Sequence, residues 1–155
     1  MECPFCDASN LNLRKFYENG LFIALYNIRP VTEGHCLVIP KRHVESFISL
    51  NDEEKKGLSS FVGRSIFMAL KFANAYQFDL TLQEGKDAGQ SVSHTHLHII
   101  PRKKDDFLSP KTRWLSVPEH DFGSVNPPLT KEETERIVKK LRLIAKEHAV
   151  QIETI

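Results

Sequence analysis

Cysteine is scarce: three in 155 residues are too few for a disulfide framework and fit a reducing compartment. No apolar run is long enough to cross a bilayer. Met1–Cys6 lacks the basic region and apolar stretch of a secretory signal, so the expected location is cytoplasmic. Charge of one sign is also missing. With 21 Lys and Arg against 20 Asp and Glu the formal charge is +1, which excludes the broad electrostatic footprint of a nucleic-acid binder. Any anion binding must come from a local cluster. No internal repeat or low-complexity tract is present. The hydrophobic fraction of 41% and aromatic fraction of 9% describe a folded globule, and the length suits one domain over residues 1–155.

Against that unremarkable background stands Gly89–Arg102, with His94, His96 and His98 at every second position. Successive side chains alternate sides on a β-strand, so three such histidines share one face while Leu97 and Ile99 point into a core. On a helix they would fan over about 200° and not converge on one small ligand. Two chemistries suit the row. The histidines ligate a transition metal, or one acts as a nucleophile while its neighbours orient it and bind an anion. The alternation does not choose between them.

Other elements follow from local signals. Lys15–Tyr17 and Leu21–Tyr26 read as strands around an Asn19–Gly20 hairpin turn. Gly34 leads into His35–Ile39, an almost wholly apolar and therefore central strand stopped by Pro40, with His35 at its mouth. Asn51 with Glu54 forms a capping box for an amphipathic helix running to about Tyr76. Phe78–Gln83 alternates as a short strand and enters the polar loop Glu84–Gln90, which offers backbone donors and Gln90 to an anion. Arg102–Lys104 follows the histidine row as positive charge or as a solvated loop. Leu108–Pro128 is proline-rich and irregular, with Trp114–Val117 extended. Thr130 with Glu133 opens a second amphipathic helix that ends near His148, with Lys139, Lys140 and Lys146 on its outer face. Cys3 and Cys6 are spaced for one zinc, for redox work or for plain structural packing, and no clear helix follows them. A zinc needs two further ligands, for which His43 and His94 are candidates.

The sequence His94–Thr95–His96–Leu97–His98–Ile99–Ile100 resembles the signature of the histidine-triad (HIT) superfamily of nucleotide hydrolases and transferases. Thr95 stands where the family usually has an apolar spacer. The resemblance extends to Asn27–Pro40, and Gln83–Gln90 with Pro101–Arg102 is similar to the branch that cleaves dinucleoside polyphosphates. It covers residues 3–107, leaving 108–155 as a C-terminal extension and helix.

The resemblance implies an α+β fold, a bent antiparallel sheet with two main helices, assembled as a homodimer. It implies that His96 attacks the α-phosphorus of a diadenosine tri- or tetraphosphate-like substrate, giving a nucleotidyl-histidine that water resolves. In that scheme His98 binds phosphate oxygens, His35 and His94 orient the site, and no catalytic metal is needed. Asn27, Gln83, Gln90 and Ser91 are the implied substrate contacts. The resemblance further implies a structural zinc on Cys3, Cys6, His43 and His94. Alternatives within the family are a nucleoside phosphoramidate or acyl-nucleotide hydrolase, or a nucleotidyltransferase. A nucleotide-binding sensor with incidental turnover and a metal-dependent hydrolase are readings from other classes.

Overall fold

Strands Phe22–Tyr26 (β2) and Cys36–Pro40 (β3) are buried at every position, so side chains on both of their faces meet protein. That explains their near-continuous apolar sequence. They occupy the middle of a five-stranded antiparallel sheet in a computed structural model that describes residues 3–104, 106 and 127–152. Lys15–Glu18 (β1) forms one edge, Leu97–Arg102 (β5) pairs with β3, and Gln77–Leu82 (β4) forms the other edge. The Asn19–Gly20 turn joins β1 to β2 as the sequence predicts, and the Asn19 side-chain oxygen accepts from the amides of Leu21 and Phe22.

One sheet face carries the helices. Phe22, Ala24 and Tyr26 of β2, Cys36 and Val38 of β3, and Ile99 of β5 pack against two long helices. The first, α2 (Asp52–Ala73), contributes Leu58, Phe61, Val62, Met68 and Ala69. The second, α3 (Lys131–Ile152), contributes Val138, Leu141 and Ala145. Both predicted capping boxes are formed: Asn51 exchanges hydrogen bonds with Glu54, and Thr130 with Glu133. Helix α2 stops at Ala73, short of the predicted Tyr76, because Asn74 adopts the left-handed conformation (φ 50°) and closes it. Helix α3 runs four residues beyond His148 to Ile152. No helix among the described residues is long and apolar enough to cross a membrane.

The opposite face is covered differently. Ile23 and Leu25 of β2 and Leu37 and Ile39 of β3 form a smaller cluster closed by Phe5, Leu11, Cys3 and Val92. Most of this cover comes from the N-terminus, including a helix over Ala8–Arg14 (α1) that the sequence reading does not predict. Its signal was available: Asp7 accepts from the Ser9 amide as an N-cap. The predicted extended segment at Trp114–Val117 and the tail beyond Ile152 lie outside the described residues.

The histidine strand also differs from expectation. Regular pairing begins only at Leu97, where Cys36, Leu37 and Val38 face Ile99, His98 and Leu97. Upstream, the backbone leaves the ladder to satisfy the turn after β3, with the Thr95 amide donating to the Val44 carbonyl at 2.6 Å. The alternation holds where the strand does, since Leu97 and Ile99 join the helix-side core.

Gly34 sets the entry to β3. Its φ is +86°, and an added Cβ would lie 2.9 Å from both the Ala69 carbonyl oxygen and Pro101 Cγ. Backbone conformation and close packing against α2 and β5 therefore require glycine immediately before His35. Gly34→Ala is expected to destabilise the fold by about 2–4 kcal/mol, combining left-handed strain with overpacking. Denaturant unfolding of the two proteins checks this.

Candidate functional site

His35 precedes β3 and His98 lies in β5, opposite Leu37, so both project on the sheet face away from the long helices. His35 is 2% exposed. Its Nδ1 accepts from the Val31 amide at 3.2 Å, which leaves the ring proton on Nε2. That Nε2 lies 3.0 Å from His98 Nδ1, so His35 donates and His98 accepts. The proton of neutral His98 is thereby placed on its Nε2. Asn27 braces the pair from the side. Its Oδ1 accepts from the Arg29 amide, which turns Nδ2 toward the His35 ring at 3.2–3.3 Å.

His96 sits beside this relay, its ring centroid 4.9 Å from that of His98. Its Nδ1–H donates to the His94 carbonyl at 2.8 Å. The lone pair of the neutral ring is then on Nε2, which is the tautomer a nucleophilic imidazole requires. Phe5 meets the His96 ring edge-on at 5.2 Å and the His94 ring at 5.8 Å.

The electrostatics favour neutral rings throughout. Burial is the main cause that lowers His35 far below the ordinary histidine value, with His98, Arg14 and His96 adding repulsion. Burial and His96 lower His98 to about 3. Burial lowers His96 as well, opposed by its bond to the His94 carbonyl and aided by Arg14. With these tautomers the three uncharged imidazoles carry one lone pair for attack, on His96 Nε2, and one ring proton of the kind that donates to an anion, on His98 Nε2.

His94 faces elsewhere. Its Nε2–H donates to the Pro40 carbonyl at 3.0 Å, and its Nδ1 turns toward Cys3 Sγ at 3.5 Å and Cys6 Sγ at 3.8 Å. His43 Nδ1 lies 3.4 Å from Cys6 Sγ. The four ligand atoms of Cys3, Cys6, His43 and His94 all fall within 4.8 Å of one another. In a tetrahedral zinc site, with Zn–S near 2.3 Å and Zn–N near 2.0–2.1 Å, sulfur and nitrogen ligands stand about 3.6 Å apart. The three sulfur–nitrogen separations of 3.4, 3.5 and 3.8 Å bracket that edge, within a set whose atoms lie up to 4.8 Å apart. A carbonyl holding the far nitrogen of His94 is the support that a ligating histidine ordinarily has. Burial and the neighbouring Cys3 push the Cys6 thiol up, so a cation is what would draw off its proton.

The remaining predicted contacts are placed less centrally. The Gln90 amide is spent on its own loop, accepting from the Gly85 amide and donating to the carbonyls of Glu45 and Val92. Glu84 ties the same loop to the Ser46 hydroxyl and the Phe47 amide. Ser91 is exposed and Gln83 half-buried. Of the positive charges that follow the histidine row, Arg102 at the end of β5 is held by Asp79 and Asp106, and Lys103 by Glu33. Two residues beside the histidines escaped the sequence reading, Phe5 and Arg14. Each looks ordinary in sequence because its position depends on the N-terminal segment folding back onto β2.

A family model described as the HIT domain matches residues 9–105. The bis(5'-adenosyl)-triphosphatase of Dictyostelium discoideum is 35% identical over 133 residues, covering 86% of this chain and 86% of that protein. The asymmetrical bis(5'-nucleosyl)-tetraphosphatase of Schizosaccharomyces pombe is 41% identical over 92 residues, 59% of this chain and 50% of that protein, so the match spans half of the relative's length. The crystal structure of a Zn-bound histidine triad family protein from Mycobacterium smegmatis has a TM-score of 0.67 at 29% identity, covering 97% of this chain and 98% of that one. The histidine relay thus sits within a matched stretch that spans most of the chain, and the chain belongs to the HIT domain family.

Proposed function

We propose that this HIT-type nucleotide hydrolase splits dinucleoside polyphosphates asymmetrically through a covalent nucleotidyl-His96 intermediate. His96 Nε2 attacks the α-phosphorus, the bond from that phosphorus to the bridging oxygen breaks, and the remaining polyphosphate leaves. Water then attacks the same phosphorus and releases the mononucleotide and free His96. His98 donates from Nε2 to a non-bridging oxygen, His35 fixes the His98 tautomer, and the His94 carbonyl fixes that of His96. Asn27 holds His35 in place. Gln83 and Ser91 contact the substrate, while Gln90 shapes the loop that meets it. The observation that carries the reading is the chain of hydrogen bonds that leaves the His96 lone pair on Nε2 beside a His98 whose ring proton is on Nε2. Relatives named as a triphosphatase and a tetraphosphatase support the choice of substrate class.

Cys3, Cys6, His43 and His94 hold a zinc ion in this proposal. When bound, it fastens the N-terminus and the turn after β3 to the segment carrying His96, and its work is structural. The exposed β4 edge, with Phe78 at 42% and Leu80 at 45% exposure, receives a second copy of the chain. The assembly works in the cytoplasm on free nucleotides.

His96→Ala is expected to lower turnover of diadenosine triphosphate by roughly 10⁴-fold or more and to abolish the covalent adduct seen by mass spectrometry of the quenched reaction. Normal turnover in that variant would overturn the assignment. Comparing rates on diadenosine tri- and tetraphosphate with those on an adenosine phosphoramidate ranks the two hydrolase branches.

Metal analysis of protein purified without added zinc is expected to give one equivalent per chain. Cys6→Ser should lose the metal and melt at a lower temperature. Fully folded wild-type protein with clearly substoichiometric metal would count against the site.

Acid should weaken the fold through the buried histidines. The folded-state values of His35 and His98 lie below the ordinary 6.5, so the unfolded chain binds more protons as pH falls below that value. Their contribution is fully present above about pH 6.5 and drains away toward the folded values, near 3 for His98. His98→Asn keeps an acceptor for His35 but cannot titrate. Its stability, followed by urea unfolding from pH 7 to pH 4.5, is expected to fall less steeply than that of the wild type, by up to one proton in slope.

A further inference from the structure

Arg14, the last residue of α1, is 4% exposed, and no carboxylate among the described residues pairs with it. Its hydrogen bonds go to neutral acceptors. Nε donates to the Tyr26 carbonyl at 2.9 Å, and Nη1 to Asn10 Oδ1 at 3.4 Å. Burial lowers its pKa to about 10, which still leaves it charged at neutral pH. A buried cation without a counterion is costly, and a fold that keeps one is prepared to receive an anion.

The position says which anion. The Arg14 guanidinium carbon lies 5.9 Å over the Phe5 ring, and that same ring meets His96 edge-on at 5.2 Å. The carbonyl that fixes Nε belongs to Tyr26, whose neighbour Asn27 braces His35. Arg14 therefore stands directly behind the histidine relay, with Phe5 and the end of β2 as the layer between. The relay itself is uncharged, and Arg102 at the end of β5 and Lys103 after it are already paired, with Asp79 and Asp106 and with Glu33. Neutral imidazoles donate hydrogen bonds but add no net charge against a phosphate.

We propose that Arg14 is a positioning residue whose fixed buried charge is the counterion of the nucleotide phosphate held at His96 and His98. It acts through the low-dielectric layer of Phe5 and the end of β2, without touching the reacting atoms, and it favours the charged phosphoryl group over the nucleoside. This rests on the proposed reaction at His96.

The test uses the full chain and two independent ways of removing the charge. Arg14→Met deletes it, and Arg14→Lys keeps it. Asn10→Asp leaves Arg14 in place but sets a carboxylate against Nη1, with Asn10→Ala as the control for the hydrogen bond that Asn10 also gives to the Pro4 carbonyl. Each variant is measured for kcat and KM on diadenosine triphosphate, for melting temperature, and for binding of AMP and of adenosine. Arg14→Met and Asn10→Asp are expected to lower kcat and AMP affinity by about tenfold, with adenosine affinity unchanged. Arg14→Lys should recover most of the loss, and Asn10→Ala should stay near wild type. A folded Arg14→Met or Asn10→Asp protein with wild-type kcat and AMP affinity overturns the proposal, as does an equal loss of adenosine and AMP affinity. If Arg14→Met does not fold, the Asn10→Asp and Asn10→Ala pair decides. If the wild type hydrolyses no dinucleoside polyphosphate, the reaction at His96 fails, while the AMP and adenosine comparison still reads the charge of Arg14.

Discussion

The bond from His96 Nδ1–H to the His94 carbonyl is the constraint on which the candidate site depends. A free imidazole exchanges its proton between two nitrogens, and only one tautomer presents a lone pair on Nε2. A backbone carbonyl accepts and never donates, so this contact decides the matter without a titrating partner. The carbonyl belongs to a residue whose own ring is fixed from both ends, Nε2 by the Pro40 carbonyl and Nδ1 by its place opposite Cys3 and Cys6. Whatever holds His94 therefore also aims His96. Side chain and main chain of one residue serve the cysteine cluster and the histidine relay at once.

This double duty accounts for the irregular backbone before Leu97. Had the strand continued upstream in register with β3, the carbonyls and amides of His94–His96 would have been consumed by the ladder. Instead the segment turns toward the 40–44 turn, where Pro40 and Val44 take its donors, and the His94 carbonyl is released to face a side chain. The rest of the sheet provides the rigidity that this departure needs. β2 and β3 are packed on both faces, and Gly34 lets α2 and Pro101 close directly onto the backbone that carries His35.

Much of this was legible in the sequence, and the boundary between what was and was not is physical. Period-2 and period-3.6 patterns located β1 to β5, α2 and α3, and the Asn51–Glu54 and Thr130–Glu133 boxes marked the helix starts, because these signals are local. The histidine spacing pointed to one face shared by three rings, which holds for the neighbouring His96 and His98, whereas His94, upstream of the ladder, turns to Cys3 and Cys6. The strand begins later than the alternation suggests, at Leu97, because alternation shows which face a side chain prefers but not where the ladder stops. The seven-residue α1 was missed because so short a helix is stabilised by what it packs on, here β2 and α3, more than by its own sequence. With α1 went Arg14, an unremarkable basic residue until its burial is seen. Gln90 shows the same limit from the other side, since its bonds to the Gly85 amide and to the carbonyls of Val92 and the sequence-distant Glu45 depend on the folded arrangement of the loop.

The two faces of the sheet divide the labour. The helix side is apolar and tolerant of ordinary packing rules, and it fixes where β2, β3 and β5 lie. The other side gathers the polar groups that cannot be buried cheaply, namely His35, His94, His96, Asn27 and Arg14, under a thin cover built around Phe5 and Leu11. Each polar group there is stabilised by a neutral partner, such as the Val31 amide or the carbonyls of Pro40, His94 and Tyr26, and none by a carboxylate among the described residues. A carboxylate would raise the histidine pKa values and repel a phosphate. The backbone carbonyls of Pro40 and His94 also raise the values of His94 and His96, but burial outweighs them and keeps the rings neutral, and Arg14 leaves the region net positive. The arrangement is thus consistent with an anion arriving at His96, and the same feature makes the fold weakest in acid, where the rings must charge in an environment that already holds a cation.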